Sequence, residues 1–174
     1  MKRVIVLSTL AMTSLLSGCV GYPRLLAEPF DPGGRSLNSI SEDSSPRVAG
    51  RFVVLTSDRR FSQDVYLYDL QERRLVDLPG LNSLDAIASS PDVSEDGRYI
   101  VFAASRQGRS DIYIYDRSIR QLRNLTSDLQ MTVRNPTLSA DGSTIAFEAD
   151  ANGQWDIFVY DRSGRPIVGP GAMP

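Results

Sequence analysis

Aspartate recurs in this chain at a spacing that invites a chemical reading. Asp64, Asp111 and Asp156 each open a phrase, "DVYLYD", "DIYIYD" and "DIFVYD", and Asp69, Asp116 and Asp161 close it. Carboxylates ringed about an axis would suit a cation. Calcium, however, takes about six to eight oxygens converging from one loop, and the chain has no EF-hand or nonapeptide signature. Repetition in every copy is what turns demand, because an Asp at a strand end accepts hydrogen bonds from the backbone amides that follow it. The turn reading is preferred, and no metal ligand is assigned.

Other chemistries meet similar limits. Histidine is absent, which removes the commonest general base and the commonest zinc ligand. With no His and no G-x-S-x-G, a serine hydrolase as normally built is excluded. Ser94-x-Asp96-Gly97 and Ser139-x-Asp141-Gly142 bear comparison with the Asp-box of sialidases, but the spacing differs and a turn is preferred. A carboxylate-pair glycosidase stays open on composition, yet no two acids differ from their counterparts in the other copies. Trp155, the only tryptophan, is a ligand contact at a rim or a loop-packing residue. No catalytic or cofactor-binding residue is assigned. The formal net charge of −2 leaves no basic footprint for nucleic acid.

The elements that carry these residues form an internal repeat. Unit two is "SPDVSEDGRYIVFAASRQGRSDIYIYDRSIRQLRNLTSD" (90–128), and unit three is "NPTLSADGSTIAFEADANGQWDIFVYDRSGRPIVG" (135–169). Pro91 matches Pro136, Gly97 matches Gly142, Phe102 matches Phe147 and Asp111 matches Asp156, always 45 positions apart. Unit one, "GRFVVLTSDRRFSQDVYLYDLQERRLVDL" (50–78), aligns from Gly97 onward at 47. Its upstream part, Ile40-Ser41-Glu42-Asp43, echoes Val93-Ser94-Glu95-Asp96, which makes "SSPRVA" (44–49) an insertion in an enlarged first loop. Loops of this kind are where repeat proteins meet partners, so 44–49 is a candidate contact.

Each unit reads as four short antiparallel strands. Asp-Gly between two alternating runs signals a hairpin, and no helical period appears after the first residues. Four strands at about 45 residues per repeat are the signature of a propeller blade. The third strands agree: Ile112 and Ile114 share one face, Tyr113 and Tyr115 the other. A strand apolar on both faces is covered on both. The expected fold is all-β, with three four-stranded antiparallel blades over 36–80, 81–128 and 129–169, a partial or half propeller, and a tail at 170–174.

The N-terminus has a different logic. Lys2 and Arg3 precede an apolar run, Val4 to Leu16, and then Leu16-Ser17-Gly18-Cys19. The layout is that of a secretory signal, too short to span a bilayer well. The four residues resemble the lipobox of bacterial lipoproteins. That resemblance implies a signal peptide over 1–18, cleavage before Cys19, and diacylglyceryl and palmitate attachment at Cys19. It also accounts for a single cysteine without a partner. Two or more acyl chains hold a protein stably at a membrane. Residues 19–35 then read as a lipidated cysteine and tether. Val20, where an Asp would favour inner-membrane retention, leans the expectation towards the outer membrane, with the domain facing the periplasm.

"NPTLSADGSTIAFEADANGQWDIFVYD" (135–161) is similar to the WD-like propeller repeat of the TolB family. The Pro, Ser-x-Asp-Gly, Phe and Asp-Ile-Phe-x-Tyr-Asp positions carry the likeness over 36–169. TolB is a periplasmic component of the Tol–Pal envelope system, and the repeat also occurs in propeller domains of prolyl-oligopeptidase-type enzymes. The resemblance implies protein–protein interaction in the envelope; the competing reading is a peptidoglycan- or sugar-binding module or a glycan-acting enzyme. A propeller closes with about four to eight blades, so an arc of three leaves two apolar faces. Three covers are open: a second copy completing a six-bladed ring, the chain's own "LLAEPF" (25–30) and tail, or a different chain.

Overall fold

The computed structural model describes residues 35–83 and 85–169. The calls on 1–34, including Cys19 and "LLAEPF", and on the tail from 170 lie outside the described residues. The described chain forms twelve strands: β1 (Asp43–Ala49), β2 (Phe52–Ser57), β3 (Asp64–Asp69), β4 (Arg74–Val76), β5 (Ile87–Val93), β6 (Tyr99–Arg106), β7 (Arg109–Asp116), β8 (Gln121–Asn124), β9 (Val133–Leu138), β10 (Thr144–Ala151), β11 (Gln154–Asp161) and β12 (Pro166–Val168). Among the described residues there is no helix.

The strands make three separate sheets, each a meander of four consecutive antiparallel strands. In sheet 2, Tyr99 pairs with Asp116 and Phe102 with Tyr113; in sheet 3, Phe147 pairs with Phe158. The pleat sends alternate side chains to opposite faces. From β6, Ile100, Phe102 and Ala104 join Val54, Leu67 and Tyr115 in a core between sheets 1 and 2. Tyr99, Val101 and Ala103 join Ile112, Ile114, Phe147 and Tyr160 in a second core between sheets 2 and 3. Sheet 2 is therefore buried on both faces, as the two-faced pattern of "DIYIYD" requires. At about 1.5–3 kcal/mol for each large apolar side chain fully buried, stacking supplies most of what holds the sheets together.

The reading of 44–49 as an inserted loop is corrected. These residues are most of β1, paired to β2 through Arg47 with Val54 and Ala49 with Phe52. Their counterparts are in β5 and β9. Ser45-Pro46, Ser90-Pro91 and Asn135-Pro136 occupy one position in the three sheets: Ser45, Ser90 and Asn135 all have positive φ (51°, 48° and 50°). The register slips there each time, between Ser44 and Arg47, between Ser89 and Asp92, and opposite Ala146 to Glu148. The repeat thus holds at 45 through the proline and moves to 47 at Gly50 and Gly97. The first turn of unit one is shorter than its counterparts, not longer. Asp43, aligned by sequence with Asp96, instead starts β1 and takes an ion pair from Arg59 at 2.8 Å.

Candidate functional site

Of the carboxylates that suggested a ring of ligands, the three that close their strands are occupied in the turns that follow, Asp156 accepts from Gln154 Nε2 at 3.0 Å, and Asp64 is buried, which pushes its carboxyl up. Asp69 accepts from the amides of Gln71 and Glu72, Asp116 from Ser118, and Asp161 from Ser163 and Arg165. Asp96 and Asp141 do the same for Arg98 and Ser143. The Arg98 guanidinium donates to both oxygens of Asp116 and holds its carboxyl at about 2, below the usual 3.8. The Ser139 and Ser163 hydroxyls do likewise for Asp141 and Asp161, each also about 2. Asp111 turns inward and accepts from Thr126 Oγ1 at 3.0 Å. These groups are strand-end fittings, and among the described residues no three acidic, histidine or cysteine side chains gather closely enough to hold a metal ion.

Where the innermost strands meet, the three Ser/Asn-Pro bulges line an open groove of about 240 Å³ together with Arg47 and Thr137. Ser90 donates to the Asn135 side-chain carbonyl at 3.0 Å. Asp92 accepts from Thr137 Oγ1 and the Leu138 amide, both at 2.8 Å. These bonds tie β5 to β9. The same groove places Ser45, Pro46 and Arg47 of "SSPRVA" beside their counterparts in β5 and β9 rather than on a protruding loop.

A second repeated device couples the sheets, and it was not anticipated from sequence. At the start of β2, Phe52 lies between Arg51 and Arg117, whose guanidinium carbons sit 5.1 and 5.2 Å from the ring centre. At the start of β6, Tyr99 lies between Arg98 and Arg162 at 4.7 and 4.5 Å. In each case one Arg comes from the same sheet and one from the next. The aromatic ring presses on the turn glycine of the next sheet: a Cβ on Gly97 would fall 2.4 Å from Phe52, and one on Gly142 2.5 Å from Tyr99. The sequence signal was present in Arg51-Phe52 and Arg98-Tyr99, but the receiving Gly and Arg are remote in the chain.

At the two ends of the stack this device is missing. On sheet 3 the Arg–aromatic pair is replaced by Ser143-Thr144, and on sheet 1 the position of Arg117 and Arg162 is Leu70. Ala103 is replaced by Glu148, Ser89 by Arg134 and Ser110 by Trp155. Arg134 donates to Glu148 at 2.6 Å and stacks on Trp155 at 3.7 Å, and Asn135 adds a bond to Glu148 at 3.1 Å. Trp155 is thus under an arginine on the outward face of sheet 3. Apolar residues remain beside this polar ridge: Ile157 is 61% exposed and Val168 53%, whereas Ile112, the counterpart of Ile157 in sheet 2, is fully buried. The outward face of sheet 1 is closed by contrast, with Val53 and Leu55 only 7% and 3% exposed.

No family model matches the chain, and no curated protein sequence does. Solved structures do. TolB from Acinetobacter baumannii is 25% identical with a TM-score of 0.57, over 78% of this chain and 34% of that one. A TolB-like protein from Agrobacterium tumefaciens is 20% identical at 0.59, over 77% of this chain and 48% of that one. The fold is a TolB-like β-propeller segment. The propeller domain of a protease from Pyrococcus furiosus, which has an open velcro topology, shares the architecture at 18% identity and a TM-score of 0.55, over 74% of this chain and 42% of that one. The chain therefore spans between about a third and a half of these relatives, and its three sheets are three blades. Blade 3 presents the exposed face, and blades 1 and 2 present the two coupled joints.

Proposed function

We propose that this is a lipid-anchored cell-envelope protein whose TolB-like blades bind other envelope proteins, in a system of the Tol–Pal kind. The observation that carries the reading is the likeness to TolB over 78% of this chain, at 25% identity. The chemistry agrees: the strand-end carboxylates serve turns, and the chain has no histidine to act as a base. The lipobox-like Leu16-Ser17-Gly18-Cys19 supports an anchor at Cys19, and the tether would let the blades face the periplasm. Without Lys2 and Arg3 the formal charge goes from −2 to −4, so the acyl chains and not the surface would provide the membrane attachment.

Two measurements test this. Labelled palmitate should enter the full chain and disappear with Cys19→Ser, which should also release the protein from the membrane fraction. In vivo crosslinking from the exposed face of blade 3, read by mass spectrometry, should recover a Tol–Pal or peptidoglycan-associated protein. Hydrolysis of an envelope glycan by the purified chain, with no such crosslink, would replace the binding reading with the enzymatic one.

A further inference from the structure

Blade 1 departs from the repeat around its β2–β3 loop, and the departures meet at one place. Gly108 and Gly153 hold positive φ in the β6–β7 and β10–β11 turns (81° and 82°). The same position in the β2–β3 loop is Phe61, at φ 66°. A bulky residue in that region is a backbone outlier, and this side chain is fully exposed. The next position, Arg109 in blade 2, is Ser62. In blade 2, Arg109 and Thr126 Oγ1 each donate to Asp111 at 3.0 Å, and Thr126 Oγ1 also accepts from the Ile112 amide. In blade 1, Asn82 takes the place of the threonine, and both ends of its amide bond the Val65 backbone at 2.9 Å. Asp64 is left without a donor. It is 5% exposed, and its carboxylate accepts no hydrogen bond among the described residues.

Asp64 lines a recess of about 10 Å³ between blades 1 and 2, walled by Leu81, Ala88, Phe102 and Ala104. Arg106 lines it as well: its Nη2 pairs with Asp85 at 3.4 Å, and its Nε is buried without a partner. A small apolar recess thus holds one unpartnered acceptor and one unpartnered donor, each costly to leave unmet. Its volume admits one water-sized group. An ammonium satisfies Asp64 but offers Nε–H no acceptor, and a carboxylate or phosphate would be set against Asp64. A hydroxyl does both, donating to the carboxylate and accepting from Nε–H. Through Gln63 and Ala86 the recess adjoins an open groove of about 600 Å³, lined by Phe61, Ile87, Glu42 and Asp58. Phe61 and Ile87 supply exposed apolar surface, and the carboxylates accept from further hydroxyls. We propose that recess and groove bind a neutral saccharide, with one hydroxyl between Asp64 and Arg106 and the carbon face of the ring against Phe61. The inference does not rest on the envelope reading.

The test is saturation-transfer NMR on the full chain, in a detergent without a sugar headgroup. The probes are glucose, N-acetylglucosamine and their β-1,4-linked disaccharides. Transfer to at least one of them is expected, with the dissociation constant raised about tenfold or more by Phe61→Ala and by Asp64→Ala. Phe61 is fully exposed, so its variant keeps the fold. Asp64→Ala removes a buried carboxylate that no described donor satisfies, and should leave the melting temperature unchanged or raised. Asp111→Ala, which strips a carboxylate bonded by Thr126 and Arg109, should lower it. No transfer to any probe, with the recess holding water only, would overturn the inference. So would sugar binding that survives both variants, or a melting loss at Asp64→Ala as large as that at Asp111→Ala. Binding of 1,5-diaminopentane in place of the sugars, lost in the same variants, would mark a cation site and overturn it too. None of these outcomes bears on palmitate incorporation or on the crosslinks from blade 3.

Discussion

Blades 2 and 3 present the same repeat position to different surroundings. Ile112 and Ile157 hold the fourth position of equivalent strands, on the same side of their blades; the first is fully buried and the second 61% exposed. The backbone pairing is alike, Ile112 opposite Ala103 and Ile157 opposite Glu148. What differs is the neighbour. Blade 2 receives a glycine turn and an arginine on its Tyr99 knob, and blade 3 offers Thr144 and a salt-bridged Glu148 instead. The two outward faces thus differ by a handful of substitutions that leave strand and turn chemistry intact.

The largest expected effect separates these two isoleucines. Ile112→Ala should lower stability by about 2–5 kcal/mol, the range for truncating a large aliphatic side chain in a packed core. Ile157→Ala, measured in the same urea titration on the monomeric protein, should change it by about 0.5 kcal/mol or less. Similar losses at both sites would mean that blade 3 is covered in solution within one chain.

The joint itself comes next. Gly142→Ala should lower stability by about 3 kcal/mol, the sum of left-handed backbone strain at φ 69° and overlap with the Tyr99 ring. Gly153→Ala is the control, with φ 82° and nothing within 4 Å of the added carbon; it should show the strain alone, about 1–2 kcal/mol. Equal losses would show that the ring contact contributes nothing. Tyr99→Thr, which gives blade 2 the residue of blade 3, should lower stability by about 2–3 kcal/mol by thermal melting.

Acid should weaken both blades through their turns. Asp116, Asp141 and Asp161 have carboxyls held at about 2 in the folded chain, against an ordinary 3.8. Between those values the unfolded chain binds protons that the folded one refuses, so stability is fully present above about pH 4 and falls as pH is lowered towards about 2. Asn substitution at any one of the three should flatten the acid limb of a stability–pH curve. An unchanged limb in the Asp116→Asn, Asp141→Asn and Asp161→Asn variants would put the acid sensitivity elsewhere.

Much of this architecture was legible because the repeat is written in residues whose conformation is local. Asp-Gly turns and two-faced strands such as "DIYIYD" determine sheet, meander and stacking together. Strand β1 was misread for a physical reason: the short turn at Ala49-Gly50 shifts the register, and the echo at Ile40–Asp43 drew the alignment away from the Ser-Pro match that the bulge preserves. The site was less legible. Ile157 is as apolar as Ile112, and its exposure depends on whether another sheet lies over it. The joint was missed because Arg98-Tyr99 is adjacent in sequence but functions only against Gly142 and Arg162, which the fold brings in from the next blade.

The smallest effect compares the arginine of the joint with its substitute at the end. Arg98 donates twice to Asp116 and stacks on Tyr99, so it links turn, knob and strand end. In blade 3 the equivalent aspartate, Asp161, is served by Arg165 from its own turn at 2.9 Å, and that side chain is 83% exposed. An exposed pair within one turn contributes about 0–0.5 kcal/mol, because solvent screens it and both side chains give up rotamer freedom. Arg98→Ala should therefore lower the melting temperature, through loss of the ion pair and the stacking together. Arg165→Ala should be close to neutral, and added salt should narrow the gap without closing it, since stacking against Tyr99 is screened less than an exposed pair. If the two variants melt together at every salt concentration, the arginine–aromatic contact is incidental packing, and the distinction between internal and terminal blades has to rest on the apolar face alone.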